Sequence, residues 1–208
     1  MAFTGSSFSL WNDTLLTDEF NGTLTLVHQT DLSDNPQDFV LYLGSVLTDR
    51  QLQAASSPGV ASITLTPTDI LPNWAVATAY VVGDKVQPTV GNGFVYKCTV
   101  SGTSHASVEP TWPVVTIGTT VTDGTCTWEL NSAHHPATEI KLALSGGAGL
   151  TAATGGAALS VATTVLGGTS NDVAIYIRVT NSVTNVANNT GNEEIAININ
   201  SCIESVIP

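Results

Sequence analysis

One acidic loop in this sequence has side chains of the type that binds calcium. It contains Asp31, Asp34, Asn35 and Asp38, which offer hard oxygen ligands. An EF-hand loop needs oxygen ligands at alternate positions, a central glycine and a closing glutamate, and this loop does not have that order. We therefore interpret it as a solvated turn in which Asp and Asn side chains accept hydrogen bonds from backbone amides.

Two adjacent histidines, His134 and His135, form a second group of metal-binding type, because imidazole binds transition metals. Neighbouring side chains of an extended chain point to opposite sides. No cysteine or further histidine lies at ligand spacing from this pair. The sequence therefore predicts no metal site and no cofactor.

Hydrolytic chemistry has little support in the sequence. A glycosidase needs two carboxyl groups that face each other, and the carboxylates in the centre of the chain include Asp84, Glu109 and Asp123. Asp84 and Asp123 each precede a glycine, where a hydrogen-bonding role in a turn accounts for them. There is no G-x-S-x-G elbow, and the glycine-rich runs 146–149 and 155–156 lack the lysine of a phosphate-binding loop. We therefore predict no catalytic residue and a protein that is not an enzyme.

Composition and charge narrow the class of partner. The chain has 208 residues, of which only 11% are charged, and a formal net charge of -12. Such a surface repels phosphate backbones, so we expect no nucleic-acid partner. It suits a protein that faces solvent or docks onto a more basic partner. The first residues, MAFTGSSFSLW, contain neither a basic region nor a long apolar run, so we predict no signal peptide and no membrane span.

Three cysteines are too few, and odd in number, for a disulfide framework. With no signal peptide, we expect the chain to be made in a cytoplasm, where thiols stay reduced. The sequence therefore predicts free, buried thiols. The alternative is that Cys98 and Cys126 face each other across paired strands and oxidise outside a cell.

The centre of the chain, 73–130, has the pattern of a small β module. The segment Phe94–Val100 alternates, which predicts a half-buried strand with Phe94, Tyr96, Cys98 and Val100 on one face. Asp123-Gly124 is a hairpin-type turn. The segment Thr125–Leu130 then returns as a strand with Cys126 and Trp128 on a common face.

Five large rings dominate this module, and they admit two interpretations. A module of this length buries little surface, so a few large side chains would have to form its core: Trp74, Tyr80, Tyr96, Trp112 and Trp128. The alternative places one or two rings at the surface, where a flat apolar face stacks on a sugar. Trp112, which lies between Pro110 and Pro113, is the first candidate for such a contact, with Tyr80 and Trp74 as the others.

The module also carries a resemblance. Its pattern W-x5-Y-x2-G-x2-V-x-P is followed by N-G-F-V-Y-K-C-T, G-T-S, E-P-T-W-P and V-T-D-G-T-x-T-W. This succession resembles a module found repeatedly in virion proteins of tailed bacteriophages, and it is more distantly similar to small aromatic carbohydrate-binding modules of the chitin-binding type. The flanking segments WNDTLLTDEF, LVHQTDLSDNPQDFVLYLGS and TEIKLALS resemble those of phage structural proteins of similar length.

The resemblance implies a structural protein of a phage virion that decorates or cements the outer capsid surface after assembly in the bacterial cytoplasm. It implies the major capsid protein and further copies of this chain as partners, with a trimer matching local threefold axes. Two alternatives stay open, a glycan-binding module of a head or tail fibre that touches host-surface glycan and a tail or neck component.

Outside the module the alternation of apolar residues predicts about seven strands separated by turns. They centre on Leu24–His28, Phe39–Leu43, Ile63–Thr66, Glu139–Ser145, Ala158–Val165, Val173–Thr180 and a last strand from Ile195 that runs on towards Cys202. The interpretation is completed by an N-terminal segment (1–21) that forms an extended arm or a short capping turn, a loop (45–58) with a helical turn at 51–55, and a linker (131–136).

Three of these strands precede the module and four follow it. Neither group closes a sandwich alone, because three strands leave one face bare. We therefore predict an all-β fold in which 1–72 and 131–208 form one Ig-like or jelly-roll-like β-sandwich, with the small β module 73–130 inserted. Two independent domains in series are the alternative.

Overall fold

The computed structural model describes residues 6–24, 26, 34–181 and 194–207. Within them the regular structure is almost entirely antiparallel β, with one short helix, α1 (Ala148–Ala152), and a 3-10 turn (Ala137–Glu139). The strands are β1 (Ser9–Trp11), β2 (Gln37–Gly44), β3 (Arg50–Ala54), β4 (Ile63–Asp69), β5 (Ala79–Tyr80), β6 (Lys85–Val86), β7 (Phe94–Val100), β8 (Gly102–Thr103), β9 (Thr120–Asp123), β10 (Cys126–Ala133), β11 (Ile140–Ala143), β12 (Leu159–Ala162), β13 (Thr164–Leu166), β14 (Val173–Val179), β15 (Ile195–Ile199) and β16 (Cys202–Val206). The predicted all-β class is confirmed.

The described residues divide into two compact units. The first unit takes in the chain as far as Thr68, then Ala137–Asn181, and then the chain from Ala196 onwards. The second, which we call the aromatic unit, takes in Asp69–Pro136 together with the pair 194–195.

Strands from both ends of the chain share sheets in the first unit. The sheet orders are β1-β2-β14-β11, β12-β4-β15 and β13-β3-β16, so each sheet pairs a strand from the first seventy residues with one from the last seventy. In the four-stranded sheet, β2 pairs antiparallel with β14 in the register Leu41 to Ile175 and Phe39 to Ile177. Each sheet buries one face, which fits the predicted sandwich built from both ends of the chain.

Strand β14 shows the predicted alternation of buried and less buried residues most clearly. Ile175, Ile177 and Val179 are buried, whereas the residues between them are less so. Within the predicted arm, β1 is extended and pairs antiparallel with β2 of the same chain, and turns follow it at 12–16. The strand predicted at 24–28 falls largely outside the described residues.

Three local predictions for this unit are wrong. Residues 51–55 form no helical turn, because β3 lies between β13 and β16 and buries Leu52 and Ala54 with a period of two. The strand predicted over 158–165 is two strands, β12 and β13, which pair with β4 and β3 respectively. The last strand likewise divides into β15 and β16.

The aromatic unit is built on the sheet β6-β7-β10-β9, with β5 and β8 paired separately. Strand β7 has the predicted bounds, but two residues depart from the predicted alternation, because Val95 is buried beside Tyr96 and Val100 is 52% exposed. A register shift between Leu130 and Ser132 on the paired strand β10 accompanies this change of face. The linker predicted at 131–136 is also wrong at its start, since β10 continues to Ala133 with Asn131 and Ser132 buried.

Candidate functional site

A cluster of aromatic side chains forms the interior of the aromatic unit. Trp128 on β10 is fully buried at its centre, and Tyr80 meets it edge-on at a centroid distance of 4.7 Å. Trp112 approaches Trp128 at 5.9 Å and lies over Tyr96 at 4.3 Å. The buried members of the cluster are Trp74, Val86, Tyr96, Cys98, Cys126, Trp128 and Leu130. The five rings therefore meet in one place, as the core interpretation expects.

A buried carboxylate, Asp123, ties this cluster together. It is only 2% exposed, and its Oδ2 accepts hydrogen bonds from Trp74 Nε1 at 2.7 Å and Trp128 Nε1 at 3.0 Å. Its Oδ1 accepts the backbone N–H of His105 at 2.8 Å. Both carboxylate oxygens are therefore committed to fixing two indole rings and one loop.

The local sequence explains why Asp123 faces inward. It ends β9 and pairs directly with Cys126 across the turn at Gly124, whose φ of 60° suits glycine. Residues directly opposite each other in a hairpin share a face, and Cys126 lies on the buried one. The turn-only role predicted for Asp123 missed this, although the two-residue turn in the sequence already implied the pairing.

Two sets of hydrogen bonds, one through Glu109 and one through Tyr96, hold the loop that carries Trp112. Its Nε1 donates to Glu109 Oε1 at 2.8 Å, and the same oxygen accepts the backbone N–H of Thr89 at 2.8 Å. The Tyr96 hydroxyl donates to the Pro113 carbonyl at 2.7 Å and accepts from Asn92 Nδ2 at 2.8 Å. The ring is thus fixed in orientation and remains partly exposed.

The three candidate sugar-contacting residues differ in how much surface they present. Trp74 is 6% exposed and points into the core. Tyr80 is partly exposed, and its hydroxyl accepts the backbone N–H of Ala75 at 3.0 Å. Trp112 and Tyr80 are therefore the two of the three with ring surface at the boundary with solvent.

The three cysteines are all free, as predicted. Cys98 pairs across the strands with Trp128 and not with Cys126, so the two thiols are offset along the strands and do not face each other directly. Burial raises the pKa of all three thiols, and for Cys126 burial together with the nearby Asp123 carboxylate raises the pKa to about 11.

We expect the thiols of Cys98 and Cys126 to resist alkylation in the folded protein at about pH 8, because thiolate is the reactive form and both are buried. Cys202, which is partly exposed, should react first. Mass spectrometry after maleimide treatment, with and without denaturant, measures this. Labelling of Cys98 or Cys126 in the folded chain as fast as Cys202 would contradict this expectation, and only one reactive thiol in the denatured, unreduced chain would show that the cysteines are not all free.

Two residues of the acidic loop, Asp38 and Asn35, have hydrogen-bond partners within the fold. Asp38 receives two hydrogen bonds of 2.7 Å from Arg178, and the side-chain bond and charge of that guanidinium lower the pKa of Asp38. Asn35 Nδ2 donates to the Asn181 carbonyl at 2.8 Å. These contacts join strand β2 and its preceding turn to the end of β14; Asp31 lies outside the described residues.

The histidine pair splits between two environments. His134 is buried, with Nε2 3.9 Å from Asp69 Oδ1, and the backbone N–H of His135 donates to Glu194 Oε2 at 2.6 Å. In the part of the chain that the structure describes, no three His, Cys, Asp or Glu side chains are grouped so as to hold a metal ion. None of the helices described there is long and apolar enough to cross a bilayer.

Comparison with known proteins found no family model, no curated protein and no solved structure that matches the chain.

Proposed function

We propose that this chain is a non-enzymatic structural protein of a tailed-phage virion that acts by contact on the outer capsid surface. The observation that carries the proposal is that two carboxylates of the aromatic unit, those of Asp123 and Glu109, accept hydrogen bonds from tryptophans of the same unit. Asp123 holds Trp74 and Trp128 in place, and Glu109 holds Trp112, so these carboxylates have the structural role of positioning indole rings. An aromatic unit whose tryptophan rings are fixed by its own carboxylates suits a protein whose work is adhesion.

The partners follow from charge and symmetry. A chain of net charge -12 docks most readily onto a more basic surface, and the major capsid protein is the partner we propose. Several copies of the chain would meet one another at local symmetry axes, with a trimer at threefold positions. The sequence resemblance to phage virion modules supports the particle itself as the location, reached after assembly in the host cytoplasm.

Rebinding to particles tests this proposal. Particles of the encoding phage produced without this gene should bind the purified chain until a defined number of sites is filled, as co-sedimentation would measure. Bovine serum albumin is a suitable acidic control that should stay in the supernatant. Failure of the chain to sediment with such particles at any concentration would overturn the proposal.

Glycan binding is the second candidate function, and the fixed, partly exposed ring of Trp112 favours it. A ring held by Glu109 and packed over Tyr96 loses little conformational freedom when a sugar stacks on it. Retention on immobilised host polysaccharide should fall in Trp112→Ala and persist in Val115→Ala, a matched change at an exposed neighbour. Absence of retention for the unmodified chain would reject this candidate.

A further inference from the structure

Two asparagines of the sequence precede a glycine, in the pairs Asn21-Gly22 and Asn92-Gly93. In such a pair the backbone nitrogen of the glycine can attack Cγ of the asparagine side chain, because glycine has no Cβ that restricts the approach. The new C–N bond closes a succinimide ring, and Nδ2 leaves as ammonia with the proton of the glycine N–H. Water then opens the ring to aspartate or isoaspartate. Each conversion adds one negative charge to a chain of net charge -12.

The fold leaves the first pair open to this reaction. Asn21, Gly22 and Thr23 are exposed and lie outside the strands. The Oδ1 atom of Asn21 accepts the backbone N–H of Thr23 at 3.0 Å, a local bond that does not involve the leaving group Nδ2. Asn92 Oδ1 accepts a matching bond from the backbone N–H of Phe94 at 3.2 Å, so this contact does not distinguish the two pairs.

The second pair is held at both of its residues. Asn92 Nδ2, the leaving group, donates to the Tyr96 hydroxyl at 2.8 Å. The Gly93 carbonyl accepts the backbone N–H of His134 at 2.9 Å, and strand β7 begins at the next residue. Ring closure requires the Asn92 side chain and the Gly93 peptide to rotate towards each other, so both hydrogen bonds have to open first.

We propose that Asn21 is a site of spontaneous deamidation in the folded protein and that the fold protects Asn92. The protected residue belongs to the loop contacts of the candidate site, because the Tyr96 hydroxyl that accepts from Asn92 donates to the Pro113 carbonyl beside Trp112. That hydroxyl has one proton and already donates it, so a carboxylate oxygen in place of Nδ2 would remove the bond. The inference goes beyond the proposed function and does not depend on it.

Peptide mapping by mass spectrometry tests the proposal on the full chain, incubated at mildly alkaline pH, where the attacking nitrogen loses its proton more readily. Aspartate and isoaspartate should accumulate at Asn21 about tenfold or more faster than at Asn92, because two hydrogen bonds of ordinary strength must open at Asn92. In guanidinium chloride, which removes the fold, the two rates should become similar.

Tyr96→Phe removes the acceptor of Asn92 Nδ2 and should speed conversion at Asn92 by about fivefold. Asn21 in the same molecule is the internal reference, and its rate should not change. Tyr80→Phe is the matched control, because the Tyr80 hydroxyl accepts the backbone N–H of Ala75 and does not contact Asn92 in the same way. This variant should leave Asn92 slow, and circular dichroism should show that both variants are folded.

Conversion of Asn92 as fast as Asn21 in the folded chain would overturn the inference. So would an unconverted Asn21 in the folded chain when both asparagines convert in guanidinium chloride, or an unchanged Asn92 rate in folded Tyr96→Phe. If Tyr96→Phe does not fold, the comparison of the folded and denatured unmodified chain decides the question alone.

Discussion

Replacing Asp123 by alanine should lower the free energy of unfolding of the aromatic unit by about 3–7 kcal/mol, because two buried indole donors lose their acceptor at about 1–3 kcal/mol each and one partly buried backbone donor loses its acceptor at about 1 kcal/mol. Those donors are the indole N–H groups of Trp74 and Trp128 and the backbone N–H of His105. Urea unfolding followed by tryptophan fluorescence measures the change, since three of the four tryptophans lie in this unit.

Asp84→Ala provides the matched control for that experiment. Asp84 also precedes a glycine in a turn, but its carboxylate accepts the exposed backbone N–H of Val81, at 2.8 Å, and not a buried indole. Its loss should cost about 1 kcal/mol. Equal effects of the two substitutions would show that Asp123 is merely another turn residue and would contradict its role at the centre of the cluster.

Gly124→Ala should destabilise the same unit by about 2–5 kcal/mol, the sum of crowding and backbone strain. A Cβ at this position would lie 2.3 Å from the Thr103 carbonyl oxygen and 2.8 Å from the Ser104 carbonyl carbon, and both are backbone atoms. The φ of 60° adds a conformational cost for any residue with a side chain. The same urea titration detects the shift.

Gly93→Ala separates the two causes. Gly93 has a φ of 83°, yet a Cβ there meets no atom within 4 Å, so only the conformational cost of about 1–2 kcal/mol applies. If Gly124→Ala lowered the free energy of unfolding no more than Gly93→Ala, that result would contradict the close packing of the β9–β10 turn against Thr103 and Ser104.

Strands with a clean period of two were predictable from the sequence. The bounds of β7 and the buried face of β14 follow from alternation, because one face of each strand packs inward while the other does not. The prediction that both ends of the chain combine rested on too few strands at either end to cover an apolar face. The structure has more strands at both ends than were predicted, and it places strands from both ends in shared sheets.

Features that depend on distant partners were not predictable in the same way. The stretch 45–58 is mostly polar or small, and only pairing with β13 and β16 makes Arg50–Ala54 a central strand. The bulge that buries Val95 depends on the register of β10. In the candidate site the meeting of the rings was expected from composition, but the carboxylate of Asp123 between two indoles requires the hairpin register as well as the residue types.

We propose that this chain is a contact-making component of a phage particle, and its abundance in purified particles tests that proposal most directly. Quantitative mass spectrometry with imaging of the labelled chain should find many copies spread over the shell, in a fixed ratio to the major capsid protein. Absence from thoroughly washed particles would contradict the claim altogether, and a few copies confined to the tail would contradict the capsid location.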